Sequence, residues 1–261
     1  ALAKKGHKVG LLDADIFGFS IPGQLGLASK PTKVDDLILP PVYEDGGVAI
    51  KVISIGMFVE EGKAVAWRGP MLHRAIQQFL TEVHWGDLEF LLVDLPPGTG
   101  DIAISLGQLL PTAKSIVVTT PQPAAADIAA RTAAVGLQTG QRILGVIENM
   151  SWLENPDGSR TELFGAGGGQ AVAERLTALA GVDVPLLGQI AMSQALREGS
   201  DLGKPVVNHV AGDPATLAIE AIAESLRRVS TRVTGPEWLD CSRQADEAPL
   251  RAAVISATIH A

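Results

Sequence analysis

Three aspartates at the ends of apolar runs are the residues of this chain best placed to do chemistry. Phe90-Leu-Leu-Val-Asp94 ends on one carboxylate, and Leu95-Pro-Pro97-Gly98-Thr-Gly100-Asp101 breaks the run at once. It is too short for helical periodicity and reads as a buried strand, which Pro and Gly then stop. A parallel strand that carries an Asp to its carboxyl end, followed by a Gly/Pro loop, is how an α/β nucleotidase presents a group to Mg2+. Gly leaves the backbone open to close approach, so the loop can sense a γ-phosphate through its N–H groups. Pro97 and Gly98 are therefore candidate nucleotide contacts, although a strand followed by an ordinary turn has the same pattern.

Val9-Gly-Leu-Leu-Asp13-Ala-Asp15 repeats the arrangement. Two carboxylates two residues apart leave a strand on the same side. One can hold a metal's water shell while the other orients an attacking water. Asp13 and Asp15 are thus candidate catalytic residues, either of which could be the metal-holding one, and Asp94 is a candidate metal ligand; a solvated loop with two charges is the plain alternative. Asn149 closes another strand-like run, Arg142-Ile-Leu-Gly-Val-Ile-Glu-Asn149. Its amide has the donor and acceptor that pair with a base edge, and a lone Asn equally suits a turn. Arg68 is open to a phosphate contact or to a surface ion pair.

These groups need a scaffold that brings strand ends together. Strand-like runs at Val9–Leu12, Gly47–Gly56, Phe90–Asp94, Ser115–Thr120, Arg142–Asn149 and Val184–Ile190 alternate with helical stretches. Leu72, Ile76, Phe79, Leu80 and Val83 share one helical face. Ala124–Leu137, Gln170–Ala180 and Ala215–Val229 are further helices. The alternation predicts an α/β fold with a mostly parallel sheet covered by helices on both faces. Phe19–Pro41 and Ser151–Gly169 read as irregular loops, the second with a turn at Asn155–Gly158. Gly165–Gly169 lacks the Lys-Ser/Thr ending of a phosphate loop and reads as a hinge and helix entry. One domain is expected over residues 1–230. An irregular, poorly packed tail of unknown role is expected over 231–261.

The 261 residues are 46% hydrophobic, enough for a sizeable core. A net charge of −8 argues against a general nucleic-acid or anionic-membrane surface. No apolar run reaches the roughly 18 residues that span a bilayer. A single cysteine, Cys241, excludes an internal disulfide framework and suits a reducing compartment such as the cytoplasm. Ala1-Leu-Ala-Lys-Lys-Gly6 reads as the last turn of a helix, which suggests a piece of a longer protein.

Taken together, Leu-Leu-Asp13-Ala-Asp15-Ile-Phe-Gly, Trp67-Arg-Gly-Pro70-Met, Val-Asp94-Leu-Pro-Pro-Gly-Thr-Gly-Asp101, Thr-Thr-Pro-Gln, Gly145-Val-Ile-Glu-Asn-Met-Ser151 and Phe164-Gly-Ala-Gly-Gly-Gly resemble the Mrp/ApbC family. These are P-loop ATPases related to MinD and ParA, and many carry iron–sulfur clusters. The resemblance runs from Ala1 to about Ala211. It implies a three-layer P-loop NTPase fold, ATP and Mg2+ as cofactors, ATP hydrolysis, and transfer of iron–sulfur clusters to client apoproteins by a homodimer. It assigns Asp13 to the metal's outer shell, Asp15 to the attacking water, Asp94 to the Mg2+ site, Gly98 to a γ-phosphate switch and Asn149 to adenine. A positioning ATPase of the MinD/ParA kind and a non-catalytic dimerisation module are the alternatives. The sequence departs from the family twice. The family's phosphate loop, Gly-Lys-Gly-Gly-Val-Gly-Lys-Ser, does not occur in it, so residues 1–261 alone are expected to bind ATP poorly. The Cys-X-X-Cys that many members carry after Asn-Met-Ser is replaced by Trp152-Leu-Glu-Asn-Pro-Asp-Gly.

Overall fold

The computed structural model describes residues 1–15, 18–59, 69–96, 101–138, 140–231 and 254–257. Pro97, Gly98 and Arg68 lie outside the described residues. The chain runs through β1 (Val9–Asp13), α1 (Ile21–Gln24), β2 (Thr32–Val34), β3 (Leu37–Leu39), β4 (Val42–Asp45), β5 (Val48–Ser54), α2 (Gly69–Thr81), β6 (Phe90–Asp94) and α3 (Asp101–Leu109). It continues through β7 (Lys114–Thr119), α4 (Pro123–Gln138), β8 (Arg142–Glu148), β9 (Leu153–Glu154), β10 (Arg160–Thr161) and α5 (Gly168–Ala180). It closes with β11 (Leu186–Gln189), α6 (Gln194–Asp201), α7 (Val206–His209), α8 (Pro214–Thr231) and β12 (Val254–Ala257).

Eight strands form one sheet in the order β11-β8-β7-β12-β6-β1-β5-β4. All neighbours are parallel except β4, which returns antiparallel along the edge of β5. The β4–β5 hairpin turns on Gly46 and Gly47, both at positive φ, the pairing that a tight hairpin between right-twisted strands requires.

Alternation along each central strand divides the core into two layers. Leu91 and Val93 of β6 join Leu12, Ile53, Ile76 and Leu106 on one face. Phe90, one residue out of phase, packs with Leu2, Val9 and Ala223 on the other. In β7, Val117 meets the helix pair α4–α5, while Ile116 and Val118 meet Ile222 and Leu226 of α8. Each buried Leu, Ile or Val contributes about 1.5–3 kcal/mol relative to exposure, and the period-two pattern forces that contribution onto both faces. On α4 the buried residues are Ala126, Ala129, Ala130 and Ala133, a helical stripe of small side chains against α5 and the sheet. The result is the three-layer α/β arrangement expected from the alternation of elements.

The structure departs from the sequence reading in three stretches, the first being Ser151–Gly169, read as an irregular loop, where β9 and β10 pair antiparallel. The segment Phe19–Pro41 is not wholly irregular: it holds the short α1 and a β2–β3 hairpin turning at Asp35-Asp36. Asp35 sits at φ 52°, a left-handed conformation that Asp tolerates better than most residues. In the tail, residues 254–257 form β12, which lies between β6 and β7 and pairs with β7 at four positions, from Val254↔Ser115 to Ala257↔Val118.

Candidate functional site

The parallel sheet sends the carboxyl ends of β5, β1, β6, β7 and β8 to one edge, where ligands of open α/β sheets bind. β1 lies between β5 and β6 in exact register, so Ser54, Asp13 and Asp94 are direct neighbours across three strands. The first turn after β1 is fastened to β6 by Ala14 N–H donating to the Asp94 carbonyl at 2.9 Å.

Asp13 is fully buried. Its Oδ1 accepts from the Asp15 N–H at 3.2 Å. Its Oδ2 accepts from the Ser54 hydroxyl at 3.0 Å and from the Ile21 N–H at 3.3 Å. Burial raises the Asp13 pKa above the ordinary carboxylate value, and these three hydrogen bonds oppose the rise. Asp15 turns the chain locally: its Oδ1 accepts from Gly18 N–H at 2.9 Å.

Asp94 is pushed up from 3.8 to about 7, first by burial and then by the negative charges of Asp13 and Asp15. Three carboxylates are thus held close enough to repel one another, which is a poor arrangement for stability and a good one for receiving a cation. Between about pH 4 and pH 7 the unfolded chain has lost the Asp94 proton while the folded chain keeps it, so stability falls as pH rises through that window. Asp94→Asn is expected to flatten this decline and to make the ligand-free protein more resistant to urea at pH 8 than the wild type. Urea titrations at pH 5 and pH 8 check this; an unchanged pH slope would mean that Asp94 is not protonated in the folded state.

The donor set suits Mg2+, which takes hard oxygens and is commonly held by one or two carboxylates together with substrate phosphates and water. Among the described residues no group of three or more His, Cys, Asp or Glu side chains is arranged to hold a metal by itself.

Asn149 stands directly after β8, its N–H donating to the Thr119 carbonyl of β7 at 2.8 Å. β8 is three strand spacings from β6 in the sheet order, roughly 14 Å at the usual interstrand distance. The structure therefore brings Asp13, Asp15 and Asp94 together and places Asn149 on the same edge at a distance only an elongated ligand can bridge. Gly98, expected beside Asp94, lies outside the described residues.

Two residues of this edge escaped the sequence reading. Ser54 was hidden as the last polar residue of an apolar strand; its place at a strand's carboxyl end is the signal that identifies it. Glu148, buried just before Asn149, accepts from the Gly169 N–H at 2.6 Å and from Gln189 Nε2 at 2.7 Å. It thereby caps the first turn of α5 and ties β8 to β11. The Gly-rich entry to α5 is required by contact: a Cβ on Gly168 would sit 2.5 Å from the Pro121 carbonyl oxygen, and one on Gly169 would sit 2.7 Å from Glu148 Cβ. The hinge and helix entry read from Gly165–Gly169 is, in its last two glycines, a site of close packing against the strand ends.

After Ser151 the chain forms the small β9–β10 hairpin, with Asn155 Nδ2 donating to Ser159 Oγ and Thr161 Oγ1, both at 2.9 Å. Arg160 lies 4.0 Å over the Trp152 ring. Thiolate chemistry has no residue to work with in this hairpin.

The ParA family profile, described as NUBPL iron-transfer P-loop NTPase, matches residues 1–227. An iron-sulfur cluster carrier protein of Mycobacterium leprae is 53% identical over 245 residues, covering 94% of this chain and 63% of that protein. One from Bacillus subtilis is 46% identical over 195 residues, covering 74% of this chain and 53% of its own length. The chain thus spans less than two thirds of these relatives. Among solved structures, a nucleotide-binding protein from Archaeoglobus fulgidus in complex with ADP is 34% identical, with a TM-score of 0.63 over 78% of this chain and 76% of that one. The septum site-determining protein MinD from Pyrococcus horikoshii superposes with a TM-score of 0.59 over 88% of this chain and 87% of its own, at 22% identity, a likeness of fold.

Proposed function

The chain belongs to the NUBPL-type iron-transfer P-loop NTPase family, and from that premise we propose that it is the greater part of an ATP-hydrolysing carrier that delivers iron–sulfur clusters to apoproteins. The observation that carries the reading is the neighbouring placement of Asp13, Asp15 and Asp94 on one sheet edge, with Asn149 farther along it. An ATP laid along the edge would have its phosphates at the carboxylates and its adenine at Asn149. Asp94 and Asp13 would hold Mg2+, which supplies charge neutralisation at the phosphates. Asp15 would orient the attacking water and take its proton. The loop at Pro97 and Gly98 would respond to the γ-phosphate.

The cluster is cargo. The described residues contain no cysteine, and the chain's single thiol is Cys241. A homodimer would bring two such thiols, and a client would complete the ligand set as it receives the cluster. The cytoplasm, a reducing compartment, would keep Cys241 a free thiol. A positioning ATPase of the MinD kind shares the fold, and at 22% identity nothing beyond the fold carries over. Among the described residues no helix is long and apolar enough to cross a membrane.

The test is a transfer assay. Full-length protein is loaded with iron and sulfide under anaerobic conditions in the presence of a small thiol. It is then mixed with the apo form of an iron–sulfur enzyme, with and without Mg–ATP. Recovery of that enzyme's activity is expected to depend on the carrier and to change in rate when ATP is hydrolysed. No recovery above a carrier-free control would overturn the reading.

A further inference from the structure

We propose that Ser54 is a positioning residue of the site: its hydroxyl fixes the Asp13 carboxylate, and that carboxylate clamps both ends of the loop that carries Asp15. The inference rests on the proposed hydrolysis for its kinetic arm alone.

Ser54 is completely buried at the last position of β5, level with Asp13. Its Oγ accepts the Gly56 N–H at 3.1 Å. The single hydroxyl hydrogen is then directed to Asp13 Oδ2, 3.0 Å away. This fixes the roles: Ser54 donates and the carboxylate accepts. The same carboxylate receives Asp15 N–H on Oδ1 and Ile21 N–H on Oδ2. Residues 15 and 21 are thereby fastened to one rigid group, which is itself held from the side by Ser54.

A second contact runs in parallel. Gly56, in the 3-10 turn Ile55–Phe58 that Ser54 initiates, lies directly under the Phe19 ring, where any Cβ would collide with it. The end of β5 therefore meets the Asp15 loop twice, once through a carboxylate and once through an aromatic face. Ser54 would touch neither nucleotide nor water. It acts through Asp13, whose side chain without that hydroxyl is freer to rotate and to release Asp15. Reacting groups must be held to about 0.5 Å, and a displacement of about 1 Å can cost up to about 100-fold in rate.

The experiment compares Ser54→Ala, Ser54→Thr and Ser115→Ala in the full-length protein. Ser115 is a matched control: it is buried, and its hydroxyl donates to Gln141 Oε1 at 3.0 Å from a strand outside the carboxylate cluster. Ser54→Ala is expected to lower kcat for ATP about 10-fold, a larger change than the rise in KM that a loosened Asp13 brings. Ser54→Thr, which keeps the hydroxyl, should return kcat to within about threefold of wild type. Ser115→Ala should lower the thermal midpoint without changing kcat. Amide hydrogen exchange, which needs no turnover, should speed up in peptides covering residues 14–21 in Ser54→Ala and in neither of the other variants. Absence of ATP hydrolysis by the wild type would sink the proposed function and leave the exchange result to decide Ser54. Unchanged exchange at 14–21 in Ser54→Ala would overturn the positioning role.

Discussion

Asp15→Asn in the full-length protein is expected to reduce ATP turnover by about 100-fold or more while leaving the Kd for Mg–ATP within about threefold. The substitution is close to isosteric. Asn keeps an oxygen to accept the Gly18 N–H, and the Asp15 N–H to Asp13 Oδ1 is a backbone bond that survives. The loop should therefore hold its shape, and what is lost is a charge and a basic oxygen. A group that acts on the attacking water contributes in the transition state and little to ground-state binding. Removing the charge also relieves Asp94, part of whose upward shift comes from Asp15, so the Asp94 pKa should move down in the variant. Single-turnover rates and calorimetric titration with Mg–ATP separate the two quantities. Full turnover in Asp15→Asn would remove Asp15 from the reaction, and a large loss of affinity would make it a binding group instead.

The second large effect concerns the cargo. A polypeptide of residues 1–261, reconstituted anaerobically with iron and sulfide, is expected to hold no cluster that survives gel filtration. All-thiolate clusters take Cys ligands, commonly four, and a dimer of this chain has two. Adding a small thiol should raise the absorbance and iron content, and a chelator should strip them within minutes. Cys241→Ser should abolish even this labile species. A stoichiometric cluster that persists in Cys241→Ser would place the ligands elsewhere in the chain and overturn the expectation. The β9–β10 hairpin offers no thiolate in their place: around Asn155 its side chains are the Asn155 amide, the Ser159 and Thr161 hydroxyls and the Asp157 carboxylate, which hydrogen-bond among themselves.

The parts of the fold legible in the sequence are those that a two-residue or 3.6-residue period marks clearly. β1, β6, β7 and β8 are near-continuous apolar runs because both faces are buried, and each falls within one residue of its expected bounds. Asp13 and Asp94 were each visible at a strand end. That they stand side by side depends on the order and register of strands separated by about eighty residues, which no local pattern encodes. The β2–β3 hairpin was missed because its three-residue strands lie largely at the surface, with Val34, Leu37 and Leu39 exposed, and carry little burial signal. Ser54 was missed for a different reason: its partner is forty-one residues away and its own residue type is ordinary. β12 was missed because its pairing depends wholly on distant strands.

That last strand has a consequence for the order of events in folding. β12 stands between β6 on one side and β7 on the other, so among the described strands it joins β4, β5, β1 and β6 to β7, β8 and β11 within the sheet, while α8 packs across both blocks. Its partner Ser115 was synthesised 139 residues earlier than Val254. During translation, at about 5–20 residues per second, the two blocks can each pair internally several seconds before the joining strand leaves the ribosome. Until then the facing edges of β6 and β7 lack this partner, and a strand edge with unpaired N–H and C=O groups promotes strand exchange and aggregation. Loop closure over such a separation is slow to nucleate. Capture of residues 254–257 is therefore expected to be the last step in forming the continuous sheet, with Asp13, Asp15 and Asp94 together on one block and Asn149 on the other until it occurs.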